Sequence, residues 1–188
     1  YHAYHGALMA SMSERSDVAV KNFDVALTAV PGGTLRVVMT YGAYLRSLGR
    51  TTEATALFEN YRENNRDSPW LDSIQETFSS TDVPEEIVAT AREGLAEALF
   101  GAASALPNEN AGDTGLIYAN LALHLRPEFP VAQLLVGEVL DVLERYADAI
   151  ESYRAIPKAS PYSWSARLRA ASGLAAIERI DESVAILA

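Results

Sequence analysis

A turn recurs along this chain at a nearly fixed interval, and that recurrence limits the fold more than any other feature. Glu144-Arg145, followed by Asp148-Ala149 and Tyr153, returns 34 residues later as Glu178-Arg179, Glu182-Ser183 and Leu187. Pro127 returns as Pro161 at the same interval. Upstream, Glu14-Arg15 with Ala19, Phe23 and Asp24 returns 35 residues later as Gly49-Arg50 with Ala54, Phe58 and Glu59. A period in this range marks a unit too small to bury its own apolar face, which stacks on copies of itself until a continuous core forms.

The unit is helical. All eight prolines, Pro31, Pro69, Pro84, Pro107, Pro127, Pro130, Pro157 and Pro161, fall where helices would start or stop, and between them apolar residues recur at helical rather than alternating spacing. The pattern predicts helices near 1–13, 16–30, 34–48, 51–65, 69–78, 84–106, 113–125, 129–143, 146–156, 162–177 and 180–188. The clearest start signals are Ser68 before Pro69, and Asp82 with Glu85 three residues on and Pro84 in the first turn. Ala7, Gly42, Ala103, Gly137 and Ala171 stand midway along the first helix of each pair, and Ala19, Ala54, Gly115, Ala149 and Ser183 early in the second. Those small residues let backbones approach. Phe23, Phe58 and Tyr153 on second helices, with Leu45, Leu106, Leu140 and Leu174 on first ones, fill the space left.

The period, the small residue midway along the first helix, the small residue after the turn, the aromatic four positions on and the closing proline together resemble tetratricopeptide (TPR) repeats. The stretch from Pro130 to Pro161, through Gly137, Tyr146, Ala149 and Tyr153, carries the likeness best. The resemblance implies an all-α fold, a right-handed superhelix of antiparallel helix pairs (a TPR-like α-solenoid) of about five repeats with one inserted helix. Two repeats are expected over 1–67, an interrupting short helix and linker over 68–92, and three repeats over 93–188, the last truncated, as one continuous domain cut from a longer repeat chain. Ala54 and Gly115 lie 61 positions apart, 27 more than one period, which measures the interruption. Within it Trp70, Leu71, Ile74 and Phe78 share one helical face and read as a packed structural helix. Gln133 stands where the pattern usually has an aromatic, and the third pair has the longer loop 107–112.

No motif announces catalysis. There is no phosphate-binding glycine loop, no HExxH and no GxSxG. Glu85-Glu86 and the group Glu138, Asp141 and Glu144 read as solvated carboxylates. His2 and His5 are one helical turn apart without a third ligand, and His124 reads as a helix C-terminal residue. The expectation is a protein that is not an enzyme, with no metal and no cofactor. Lys and Arg total 15 against 25 Asp and Glu, a formal net charge of −10, and residues 68–188 carry the whole excess. Such a balance repels phosphate backbones, so Trp164 beside Arg167 and Arg169 reads as a structural or peptide-contacting aromatic rather than a base-stacking one, and nucleic acid is excluded. No apolar run has membrane-spanning length, so no membrane insertion is expected, and zero cysteines leave the redox compartment open. Abundant Ala, Leu and Arg with almost no Lys resemble repeat proteins of high-G+C bacteria. The expected setting is bacterial cytoplasm or periplasm, with a lean to export if a signal peptide precedes Tyr1.

By the same resemblance, first helices line the groove that holds a partner peptide or helix. The implied positions are Tyr4, Leu8, Met39, Ala43, Arg46, Phe100, Ser104, Leu134, Glu138, Leu168 and Ser172, with Asp141 adding charge. Leu8, Leu134 and Leu168 fit inter-repeat packing equally well. Met39 with Ala43, and Leu134 with Glu138, stand where a chaperone-tail clamp would need Lys and Asn, so that activity is not implied. The reading is an interaction scaffold for an apolar or mildly basic peptide. The alternative is a structural arm or lid of a larger enzyme or assembly machine, and the apolar edge Val184–Ala188 adds self-association through the terminal repeats.

Overall fold

The computed structural model describes residues 2–29, 34–66, 71, 88–106 and 112–188. Outside them lie the expected helix 69–78 apart from Leu71, the start signals at Ser68 and Asp82, the Glu85-Glu86 pair, Pro31, and Pro107 with the loop through residue 111. Among the described residues there are ten helices and no strand: α1 (His2–Met12), α2 (Ser16–Thr28), α3 (Leu35–Ser47), α4 (Thr51–Asn64), α5 (Ala91–Ser104), α6 (Gly112–Leu125), α7 (Pro130–Val142), α8 (Tyr146–Arg154), α9 (Ser163–Ala176) and α10 (Ile180–Leu187). All but one begin within about two residues of expectation. The exception is the helix expected from residue 84, which starts at Ala91, after non-helical residues 88–90. A reciprocal cap sets that start. Thr90 Oγ1 accepts from the Glu93 backbone N–H at 3.2 Å, while Glu93 Oε2 accepts from the N–H groups of Thr90 and Ala89 at 3.0 and 2.8 Å. The spacing Thr-x-x-Glu was present in the sequence.

The chain divides into two compact units, Tyr1–Gly94 and Leu95–Ala188. In the first, α1 packs on α2 and α3 on α4, and α2 meets α3. Its core is built from Tyr4, Ala7 and Leu8 of α1, Phe23 of α2, Val37, Tyr41 and Leu45 of α3, Ala54 of α4, and Val88. Phe23 is fully buried, stacks on Tyr41 at 4.8 Å and 12°, and meets Tyr4 edge-on at 6.4 Å. In the second unit each helix from α6 to α10 packs on the next. Phe129, Val136, Leu140, Ile150, Tyr153, Ala166 and Leu174 fill that core. α5 joins the corner between α6 and α7, where Phe100 meets Phe129 edge-on at 5.4 Å.

The recurrent turn has one backbone solution used four times. Glu14, Gly49, Glu144 and Glu178 have φ of +55°, +75°, +58° and +62°. The next residue in each case, Arg15, Arg50, Arg145 or Arg179, donates its N–H at 2.9 Å to the carbonyl five residues back, on Ala10, Leu45, Leu140 or Leu174. This is the left-handed helix terminus in which one residue ends the first helix and aims the chain into the second. The arginine then forks onto the acid three residues on, pairing Arg50 with Glu53, Arg145 with Asp148 and Arg179 with Glu182. Those acids sit in the first turn of the second helix, where the macrodipole favours negative charge.

Three of these four left-handed positions carry glutamate, whose Cβ crowds the following carbonyl in that conformation. Replacing Glu14, Glu144 or Glu178 with glycine should therefore stabilise the chain by about 0.5–1 kcal/mol each, and Gly49→Ala should destabilise it by about 1 kcal/mol. Urea unfolding midpoints provide the check. A lower midpoint for all three glycine variants would show that the glutamate side chains hold contacts worth more than the relieved crowding.

Candidate functional site

In the first unit, most first-helix positions expected to face a partner are occupied with packing. Tyr4 is only 8% exposed and meets Thr40 Oγ1 at 3.1 Å. Thr40 directs its hydroxyl proton to the Arg36 carbonyl at 2.8 Å, so the phenol is the donor. Leu8 and Arg46 are buried, and Met39 and Ala43 are half-buried. Ala43 borders a cavity of about 30 Å³ with Leu8, Phe23, Thr40, Tyr44 and Val88, water-sized and too small for a peptide side chain. His5 is half-buried beside His2, and burial, followed by neighbouring positive charge, holds its imidazole below the usual range. Among the described residues, no three His, Cys, Asp or Glu side chains are grouped to hold a metal ion.

In the second unit, Phe100 is half-buried against Phe129, and Ser104 returns its hydroxyl to its own helix at the Phe100 carbonyl, 2.9 Å away. Of the remaining positions, Leu134, Glu138 and Asp141 lie on α7 and Leu168 and Ser172 on α9. A residue outside the expected set links the two helices. Arg169 Nη2 lies 2.8 Å from Glu138 Oε1 and ties α9 to α7. Leu168, 51% exposed, directly precedes that arginine. Trp164, 47% exposed, stands one turn earlier, and Val142 at the end of α7 is 82% exposed. Leu134 is half-buried one turn before Glu138, and Ser172 is exposed.

The carboxylates here are not the freely solvated pair expected. Asp141 Oδ2 accepts from the Tyr153 hydroxyl at 2.6 Å, while Asp141 Oδ1 is buried without a hydrogen-bond partner. Burial raises the Glu138 carboxyl above its ordinary range; Arg169 opposes the shift and Asp141 adds to it. The reason is the helix pair itself. Gly137 lets the Tyr153 ring lie directly on the α7 backbone, which carries the phenol across to Asp141. The site therefore offers one bridged charge pair, one tyrosine-bound acid and exposed apolar side chains. That combination suits recognition of an extended or helical segment. Its acidity is already partly neutralised by Arg169.

Burial is the largest cause of a raised phenol pKa at both Tyr153 and Tyr41, and their hydrogen bonds to Asp141 and Asp24 add to it. Since the folded values lie above the unfolded value near 10, this contribution is complete below about pH 10 and is lost as pH rises further. Absorbance titration of phenolate should show two of the nine tyrosines ionising only as the chain unfolds. Full ionisation near pH 10–11 with helicity intact would contradict the two buried hydrogen bonds.

No helix among the described residues is long and apolar enough to cross a membrane. No protein-family model matches the chain, and no curated protein does. Among solved structures it is similar to a crystal structure of MamA, with 17% identity over 93% of this chain and 86% of that one at a TM-score of 0.47. Another MamA protein structure shows 16% identity over 98% and 85% at 0.46. A thermophilic TPR protein of Thermus thermophilus shows 21% identity over 80% and 87% at 0.36. The chain is an all-α helical-repeat protein whose period, left-handed turns and small-to-large helix contacts resemble those of TPR repeats.

Proposed function

We propose that the chain is a non-catalytic scaffold that binds a peptide or helix of a partner protein across the first helices α7 and α9. The observation that supports this reading is the Glu138–Arg169 bridge between the two helices, which also carry the exposed side chains of Leu168, Trp164 and Val142. Large exposed apolar groups next to an organised charge pair are the makings of a recognition surface, since apolar anchors supply affinity and the charges fix register. In this reading two repeats over 1–67 and three over 93–188 form the scaffold, and the interruption over 68–92 separates them.

The test compares affinity-captured partners of the wild type, Leu168→Asp and Glu138→Gln by mass spectrometry. Leu168→Asp touches no core position and should reduce recovery of the principal partner about tenfold, with Glu138→Gln giving a smaller loss. Charge reversal at Asp141 is a poor probe because it also breaks the bond to Tyr153. Equal recovery of every captured protein by all three chains would remove the α7–α9 surface from the account.

A further inference from the structure

The outward face of α6 differs from that of α2, α4 and α8. Counted from the small residue early in each of these helices (Ala19, Ala54, Gly115 and Ala149), the position two residues on is exposed in all four and holds Lys21, Ala56, Ile117 and Glu151. The position six residues on is exposed in all four as well and holds Val25, Asn60, Leu121 and Ala155. Of the four, α6 alone puts a large apolar side chain at both, Ile117 at 60% and Leu121 at 46% exposure, with Tyr118 beside them at 37%. Gly115, Ala119 and Ala122 turn the other side of α6 inward, so the repeat register itself, in the middle of the chain, leaves this face open. We propose that it is the contact for a second copy of the chain, α6 pairing antiparallel with α6. It shares no residue with the α7–α9 surface and stands or falls separately from it.

Charge selects the occupant. No Asp, Glu, Lys or Arg occurs from residue 114 to 125, so two chains of formal net charge −10 can meet here without setting like charges together. A twofold axis at the level of Ala119, midway between Ile117 and Leu121, places Ile117 of each chain against Leu121 of the other. The same axis makes the helix ends complementary. Asp113 in the first turn and His124 in the last are both exposed and stand eleven residues apart, three helical turns, on one edge of the face. Antiparallel pairing brings each Asp113 beside the His124 of the other chain, where the carboxylate accepts from an imidazole N–H. The contact is one helix wide, at the low end of interface sizes, and a dissociation constant on the order of 100 µM follows.

Sedimentation equilibrium of the 188-residue chain from about 10 µM to about 1 mM should show monomer passing into dimer. Ile117→Glu and Leu121→Lys, both at exposed positions, should each weaken association about tenfold or more with helicity by circular dichroism unchanged. An equimolar mixture of those two variants should recover the dimer, because the pairing sets the introduced acid of one chain against the introduced base of the other and keeps the second Ile117–Leu121 contact. His124→Lys should tighten the dimer and His124→Glu weaken it, each about threefold. Leu168→Asp and Val184→Asp should leave it unchanged. A monomer throughout, association unaffected by either single variant, or a mixture that associates no better than its components would overturn the proposal. Loss on Val184→Asp alone would also overturn it and assign self-association to the terminal repeat.

Discussion

Gly137→Ala should destabilise the chain by about 2 kcal/mol or more. A Cβ built at that position would stand 2.6 Å from Tyr153 Cζ and 2.7 Å from Cδ1, well inside contact distance. The ring has no easy retreat, because Tyr153 is only 2% exposed and its hydroxyl is fixed on Asp141 at 2.6 Å. Alanine is the better helix former by about 1 kcal/mol, so the measured loss understates the clash by that amount. Two comparisons make the test specific. Gly173→Ala meets the Ile150 side chain at 3.2 Å and the Tyr146 carbonyl at an ordinary 3.9 Å, and should change stability by less than about 1 kcal/mol. In a Tyr153→Ala background, Gly137→Ala should become neutral or stabilising, a coupling read directly from a double-mutant cycle in urea. Additive losses would mean that the glycine is required for some reason other than the tyrosine.

Glu97→Ala is the other large effect, with an expected loss of about 3–5 kcal/mol. The Glu97 side chain is fully buried on α5, and Arg126 Nη1 lies 3.8 Å from its Oε1. Arg126 also covers the Phe129 ring, 5.0 Å from the centroid. Removing the carboxylate deletes the acidic, fully buried member of this pair at the corner where α5 joins α6 and α7. Glu97→Gln should cost less because it keeps hydrogen-bonding atoms, and the double replacement Glu97→Met with Arg126→Met should recover much of the loss by exchanging a desolvated ion pair for packing. Thermal and urea unfolding would check the order. A loss below about 1 kcal/mol for Glu97→Ala would show that the pair contributes little at this junction.

Much of the architecture was legible because local chemistry repeats. The small residues Ala7, Gly42, Ala103, Gly137 and Ala171 are all buried, as are the large Phe23, Phe58 and Tyr153 expected to meet them. The four turns could be aligned from Glu-Arg or Gly-Arg alone, because a left-handed residue followed by an arginine has the same job at each place. The site was less legible. A helical wheel shows which residues share a face but not which neighbouring helix covers it, so Tyr4 and Arg46 appeared as surface positions although packing buries them to 8% and 6% exposure. Glu138 and Asp141 read as solvated because the sequence shows neither Arg169 meeting the one nor Tyr153 reaching over Gly137 to the other. In the sequence Arg169 stands out only as one of a basic pair with Arg167. Its partner lies 31 residues away on another helix, and only the stacking distance between helices brings them together. Glu97 gave less signal still, since a glutamate on an alanine-rich helix normally faces water. The Thr90-x-x-Glu93 cap was the one missed feature with a local sequence signature.

The most direct test of partner binding across α7 and α9 is site-specific photo-crosslinking in host lysate. A photoreactive phenylalanine analogue would replace Leu168 in one chain and Glu151, an exposed residue of α8, in another. One dominant crosslinked partner is expected at position 168, absent at 151 and reduced when Glu138 is also changed to Gln. The same partner crosslinked equally at both positions, or none at 168 with the helical fold intact, would contradict it.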